Sequence, residues 1–140
     1  MTFNWKRFVG VFIGTIVLLA VLSQAALLLF EVDIQSSAMV IIPMMIAAMI
    51  EGQKHAQATK DPIPHIWRQS AVMAGIALAV NAVLGVIYVL VDPAAKTMVI
   101  DAPIIIPVAF FVLGLVFWLV ARGFFGMGAN TTWKALANGK

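Results

Sequence analysis

Polar and apolar residues are segregated along this chain rather than interleaved. Phe8 to Phe30 runs for 23 residues without a charge. At about 1.5 Å per helical residue this is roughly 35 Å, enough to cross a bilayer core of about 30 Å. The same pattern predicts a second span over 37–57, a third over 68–91 and a fourth over 102–122. The second is the least regular. Its strictly apolar part, Ala38 to Ile50, has only 13 residues. It continues into the polar run Glu51-Gly52-Gln53-Lys54-His55 and stops before Pro62 and Pro64. Ser36 or Ser37 is placed to cap it, and Pro43, about two turns in, is placed to kink it. Asp92-Pro93 closes the third span. Pro103 suits the first turn of the fourth, and Pro107 is expected to bend it one turn later. The segment 123–140 is glycine-rich at first, through Gly123, Gly126 and Gly128. It reads as a hinge followed by a weakly helical tail lying at a membrane interface, with Asn130 or Thr131 as its cap. A secretory signal peptide is the alternative for the first span, with Lys6-Arg7 before it and Ser23-Gln24-Ala25 as a cleavage site. Against this, the apolar run continues past that site to Phe30.

Composition supports the membrane reading. Hydrophobic residues make up 63% of the chain and charged residues 11%. Soluble domains are nearer half and a quarter, and 140 residues cannot hide such an excess from water. The absence of cysteine rules out disulfides, thiolate metal sites and cysteine nucleophiles. A net charge of +3 is too small and scattered for nucleic-acid binding, but its distribution is informative. Lys6, Arg7, Lys54, Lys60, Arg68, Arg122, Lys134 and Lys140 fall on one side of the four spans. The other side holds Lys96 with Glu31, Asp33, Asp92 and Asp101. Basic loops stay in the cytoplasm, which predicts both termini inside a bacterial inner membrane. Trp5, Trp67, Trp118 and Trp133 lie at the same, basic interface, where an amphipathic ring is favoured. The fold class expected is an all-α bundle of four transmembrane helices forming a single membrane domain.

Candidate chemistry is sparse. No ionisable group lies in the middle of a span, where a transporter or proton relay usually keeps one. Small multidrug exporters have a similar length and four spans but depend on a glutamate in the first, which is missing here. Asn81 is the strongly polar residue of the third span. With Ala77 and Gly85 it forms a small or polar stripe at intervals of four, read first as a helix-packing face and second as a ligand site. Gly10 and Gly14 form a GxxxG in the first span, suited to seating that span on another or docking a partner. Glu51, Lys54 and His55 share one helix face. Glu51 is expected to pair with Lys54 or Arg68, or to cap the third span. A metal held by Glu51, His55 and His65 is the weaker reading of these residues, because the spacing is poor for one. No catalytic triad, phosphate-binding loop or zinc-hydrolase motif occurs. Accordingly no catalytic residue, cofactor or metal is assigned.

One stretch carries a resemblance. Ile41-Ile42-Pro43, Ala47-Ala48, Glu51-Gly52-Gln53-Lys54, then Pro62 or Pro64 and Trp67-Arg68 join a proline-bearing span to a fixed polar exit. Over this middle third the chain resembles a family of small four-span proteobacterial inner-membrane proteins. The resemblance implies the topology and brings no ligand or activity. The function expected is a non-enzymatic accessory or assembly subunit of a larger membrane complex, or a homo-oligomer in the bilayer. Gly10, Gly14 and the segment from Phe124 to Trp133 would be its docking surface. Glu51, Lys54, His55 and Arg68 would be its cytoplasmic contact. The alternative is a small homodimeric solute or lipid transporter lined by Gln24, Pro43 and Asn81. A membrane enzyme using Glu51 and His55 is the third reading.

Overall fold

The computed structural model describes residues 3–31, 36–59 and 66–139, and among these all regular structure is helical. Five helices follow in order: α1 Trp5–Phe30, α2 Ser36–Ala58, α3 Ile66–Val91, α4 Pro93–Asp101 and α5 Ile105–Ala137. Three of them, α1, α3 and α5, are long and apolar enough to cross a membrane. α2 carries the polar exit in its last third.

Local chemistry sets the ends. The Asn4 side chain accepts the Arg7 backbone N–H at 3.2 Å and caps α1. At the other end Glu31 takes a left-handed conformation (φ 55°), and its N–H closes onto the Ala26 and Leu27 carbonyls. Asp92 separates α3 from α4. Its carboxylate accepts the Ala94 N–H at 2.9 Å, and Pro93 stands at the first helical position, where its missing N–H costs nothing. The stretch expected as a loop between the third and fourth spans is therefore mostly a short helix.

Three further expectations are corrected. Pro103 lies in a turn before α5, and Pro107 falls within the first turn of that helix. A proline there removes no intrahelical bond, so it has no reason to bend the helix. The glycine-rich segment 123–128 is not a hinge and the tail is not a separate piece. α5 runs unbroken for 33 residues, about 50 Å. Thr131 caps nothing; its hydroxyl donates to the Met127 carbonyl one turn back at 2.8 Å. Tertiary packing overrides glycine's poor helix propensity here, because Phe125, Gly128 and Ala129 are buried.

The core lies toward the end that holds the start of α1, the end of α5 and most of the described basic residues, called here the basic end. It is built from Phe8 and Phe12 of α1, Met44, Ala47 and Ala48 of α2, Met73, Ala74 and Ala77 of α3, and Phe117, Ala121 and Phe125 of α5. Phe8 and Phe12 stack with centroids 6.0 Å apart, and Phe12 meets Phe117 edge-on at 6.4 Å. Pro43 is fully buried. Lacking an N–H, it leaves the Met39 carbonyl, four residues back, without its ladder bond. α2 makes its most extensive contact with α5. Toward the opposite, acidic end packing falls away. Val83, Val86, Ile87, Leu90 and Val91 of α3 and Ile104, Ile105, Val108 and Phe111 at and beyond the start of α5 are exposed. In lipid such residues cost nothing; in water they would be a liability.

Candidate functional site

The side chains with chemistry gather at the basic end. Glu51, the first residue after the apolar part of α2, is only 2% exposed. Its two carboxylate oxygens accept from Arg7 of α1, Nε to Oε1 at 2.5 Å and Nη2 to Oε2 at 2.9 Å. This is a fork-to-fork ion pair, the strongest geometry available to these groups. It corrects the expected pairing. Lys54 is exposed and donates to Gln57 Oε1 at 3.1 Å. Arg68 is exposed. Arg7 is the better partner because an amphipathic side chain at the start of α1 reaches inward along apolar surface while its charge is neutralised. The missed signal was the presence of a second basic pair, Lys6-Arg7, at the same membrane depth as Glu51.

Backbone contact seals the pair. A Cβ on Gly52, the residue after Glu51, would stand 2.1 Å from the Phe125 carbonyl oxygen of α5. A Cβ on Gly128 would stand 2.2 Å from the Met49 carbonyl oxygen of α2. The two helices approach backbone to backbone at these reciprocal points, which only glycine permits. His55, one turn beyond Glu51, lies against Phe125 with centroids 5.8 Å apart. Gln69 of α3 completes the layer, and its Oε1 is buried without a hydrogen-bond partner. Phe3, Arg7, Glu51, His55, Gln69 and Phe125 enclose a space of about 10 Å³, which is room for one water. The arrangement is a latch between α1 and α2, with the Glu51 carboxylate buried and the Arg7 side chain about one-third exposed.

The second cluster is aromatic. Trp67 and Trp118 lie 4.9 Å apart, and the Trp118 indole N–H donates to the Trp67 carbonyl at 3.2 Å. The Arg122 guanidinium lies over the Trp67 ring at 3.5 Å. The Trp133 indole N–H donates to the Thr59 carbonyl at 2.9 Å, tying the end of α5 to the end of α2. Trp5 is exposed, with the Lys6 ammonium 5.9 Å from its ring. All four tryptophans therefore collect at the basic end.

The remaining sequence candidates divide. Asn81 is half-buried, and its Nδ2 donates to the Ala77 carbonyl at 2.8 Å on its own helix. With Gly85 it lines a groove of about 350 Å³ bounded also by Val40 and Ile41 of α2 and Phe110 and Leu113 of α5. Gly85 borders a second apolar groove, about 470 Å³, under α4. It is exposed and seats no neighbouring helix. Gly10 and Gly14 are likewise exposed, with nothing within 4 Å of a Cβ at either, so the GxxxG does not join two helices of this chain. The glycines that do so are Gly52 and Gly128. His65 lies outside the described residues. Among the described residues no group of three His, Cys, Asp or Glu side chains is placed to hold a metal. No family model, curated protein or solved structure matches the chain.

Proposed function

We propose that this chain is a non-catalytic accessory or assembly subunit of a larger bacterial membrane complex, respiratory, photosynthetic or transport. The reading includes a four-span topology in the inner membrane, with α2 as the fourth crossing and both termini cytoplasmic, as the basic-residue asymmetry favours. One observation carries it: the chain packs tightly at its basic end and leaves small residues and apolar grooves unused elsewhere. Gly10, Gly14 and Gly85 have open space where a neighbour's backbone fits. Small residues at helix surfaces permit close approach, the main source of helix association in lipid. Lys54 and Arg68, both exposed, serve as the cytoplasmic contact. Glu51 is withdrawn into the latch and leaves that role.

Native mass analysis of the protein, extracted from its own membrane in lipid nanodiscs, tests the reading. It should travel with a large assembly at fixed stoichiometry. The double variant Gly10→Leu/Gly14→Leu should release it while leaving its fold intact. A wild-type protein that runs alone as a monomer or homodimer sinks the proposal.

The groove at Asn81 favours a second reading, a small homodimeric solute or lipid transporter. Solute flux in proteoliposomes that disappears with Asn81→Leu supports it, and absence of flux across a broad solute panel removes it.

A further inference from the structure

A shallow groove of about 330 Å³ runs between α3 and α5 on the lipid-facing side. Ala71, Gly75 and Leu78 form one wall; Phe111, Gly114 and Trp118 form the other. Each wall covers two helical turns, about 10 Å of length. Two glycines make the groove. A Cβ on Gly75 would meet nothing within 4 Å, and one on Gly114 would meet only the Leu78 side chain, at 3.0 Å. The lining is apolar until the groove reaches Trp118 at its basic end.

There the character changes within one side chain. Trp118 is fixed by its bond to the Trp67 carbonyl, Trp67 leans on Trp118, and the exposed Arg122 guanidinium lies over the Trp67 ring, 3.5 Å from its centroid. Stacking on a ring uses the face of the guanidinium and leaves its in-plane N–H groups available. Among the described residues, the carboxylate ion pair engages Arg7 and not Arg122. Arg68 adds a second positive charge next to Trp67 in the chain. An apolar trough about 10 Å long that ends in paired indoles and an arginine with no carboxylate partner among the described residues has the polarity of a phospholipid.

We propose that this groove binds one anionic glycerophospholipid, with an acyl chain lying between Gly75 and Gly114 and the phosphate on Arg122. Charge complementarity selects the occupant. A planar guanidinium matches a phosphate, so an occupant with an apolar chain and an anionic head fits the groove better than a purely apolar helix face. The inference stands whether or not the chain is an accessory subunit.

The test is native mass spectrometry of delipidated protein in micelles, titrated with dioleoylphosphatidylglycerol or dioleoylphosphatidylcholine. The first phosphatidylglycerol should bind about fivefold more tightly than phosphatidylcholine, the preference expected of one arginine at a headgroup. Arg122→Gln should abolish that preference. Lys134→Gln, which removes an exposed charge further along α5, should leave it intact. Gly75→Leu, placed in open space and so compatible with the fold, should weaken binding of both lipids by filling the trough. Equal binding of the two lipids by the wild type overturns the proposal. So does an effect of Lys134→Gln as large as that of Arg122→Gln, since this would mean diffuse attraction. Unchanged lipid binding in Gly75→Leu, with loss of a co-purifying membrane protein, overturns it in favour of a helix in the groove.

Discussion

Replacing Gly52 by alanine puts one methyl group where the backbones of α2 and α5 touch. The new Cβ would lie 2.1 Å from the Phe125 carbonyl oxygen, 2.9 Å from its carbon and 3.1 Å from the Ala129 nitrogen. All three are backbone atoms, so no rotamer relieves the clash. Ordinary contact begins near 3.4 Å, and the helices must therefore part by about 1 Å at this level. A gap of that size forfeits up to about half of each dispersion contact across the seam, and α2 against α5 is the largest seam in the molecule. Overpacking of this kind costs about 1–3 kcal/mol. Alanine's better helix propensity returns up to about 1 kcal/mol. The expected net loss is about 1–2 kcal/mol, read from reversible unfolding in mixed micelles by far-UV circular dichroism. Gly128→Ala, facing the Met49 carbonyl, should cost a similar amount. The double variant should cost clearly less than both together, because the first methyl already separates the helices for the second. Gly10→Ala, in open space, is the control and should be neutral or mildly stabilising. A Gly52→Ala protein as stable as Gly10→Ala, or strict additivity with Gly128→Ala, would refute the close-approach account.

Other consequences follow from the same contacts. Arg7→Met leaves the buried Glu51 carboxylate alone and should cost about 3–5 kcal/mol, whereas Arg7→Met with Glu51→Leu should recover most of the loss in the same unfolding assay. Trp133→Phe removes the bond to the Thr59 carbonyl and should cost about 0.5–1.5 kcal/mol, with faster amide exchange at the end of α2. The Asp92 carboxyl is held below the usual carboxylate range, first by the Tyr88 hydroxyl and then by the Ala94 N–H. Its contribution to capping α4 is therefore fully present above the ordinary carboxyl value and lost as pH falls through the depressed one. A side-chain NMR titration should show that depression, and Tyr88→Phe should move the midpoint upward; an unmoved midpoint removes the hydroxyl from the account.

Much of the helical layout was legible because long apolar blocks bounded by Lys6-Arg7, Asp92-Pro93 and the Pro62-Pro64 breaker constrain a chain strongly. The gathering of four tryptophans at the basic end was legible too, from their position relative to the charges. What sequence reading missed were choices between equivalent local signals. Five glycines in apolar helices look alike, yet Gly52 and Gly128 carry the backbone contact while Gly10, Gly14 and Gly85 face outward. Only the rotation of each helix in the bundle separates them, and no short motif encodes it. The partner of Glu51 was missed for a similar reason. Lys54 and Arg68 are near in sequence, but Arg7, 44 positions away, is nearer in space. The continuity of α5 past Gly123 was hidden because three glycines in six residues weaken a helix unless a partner helix covers them.

The glycine seam and the ion pair are one device, and their coupling is measurable. A salt bridge at an exposed site is worth about 0–1 kcal/mol, while breaking one that is desolvated costs several times more. Glu51 belongs to the second class because Gly52 brings α5 into contact beside it. Parting the helices by about 1 Å through Gly52→Ala widens a space that already has room for one water. More water would then solvate the carboxylate directly. In the wild-type background Arg7→Met should therefore cost about 3–5 kcal/mol, but in the Gly52→Ala background about 1 kcal/mol or a little more. The difference is the price of keeping that layer dry, and it is a coupling between residues on three helices that share no side-chain contact at Gly52 itself. Arg7→Met costing the same in both backgrounds would show that Glu51 is shielded by something other than the α2–α5 approach, with Phe3, His55 and Gln69 the remaining walls.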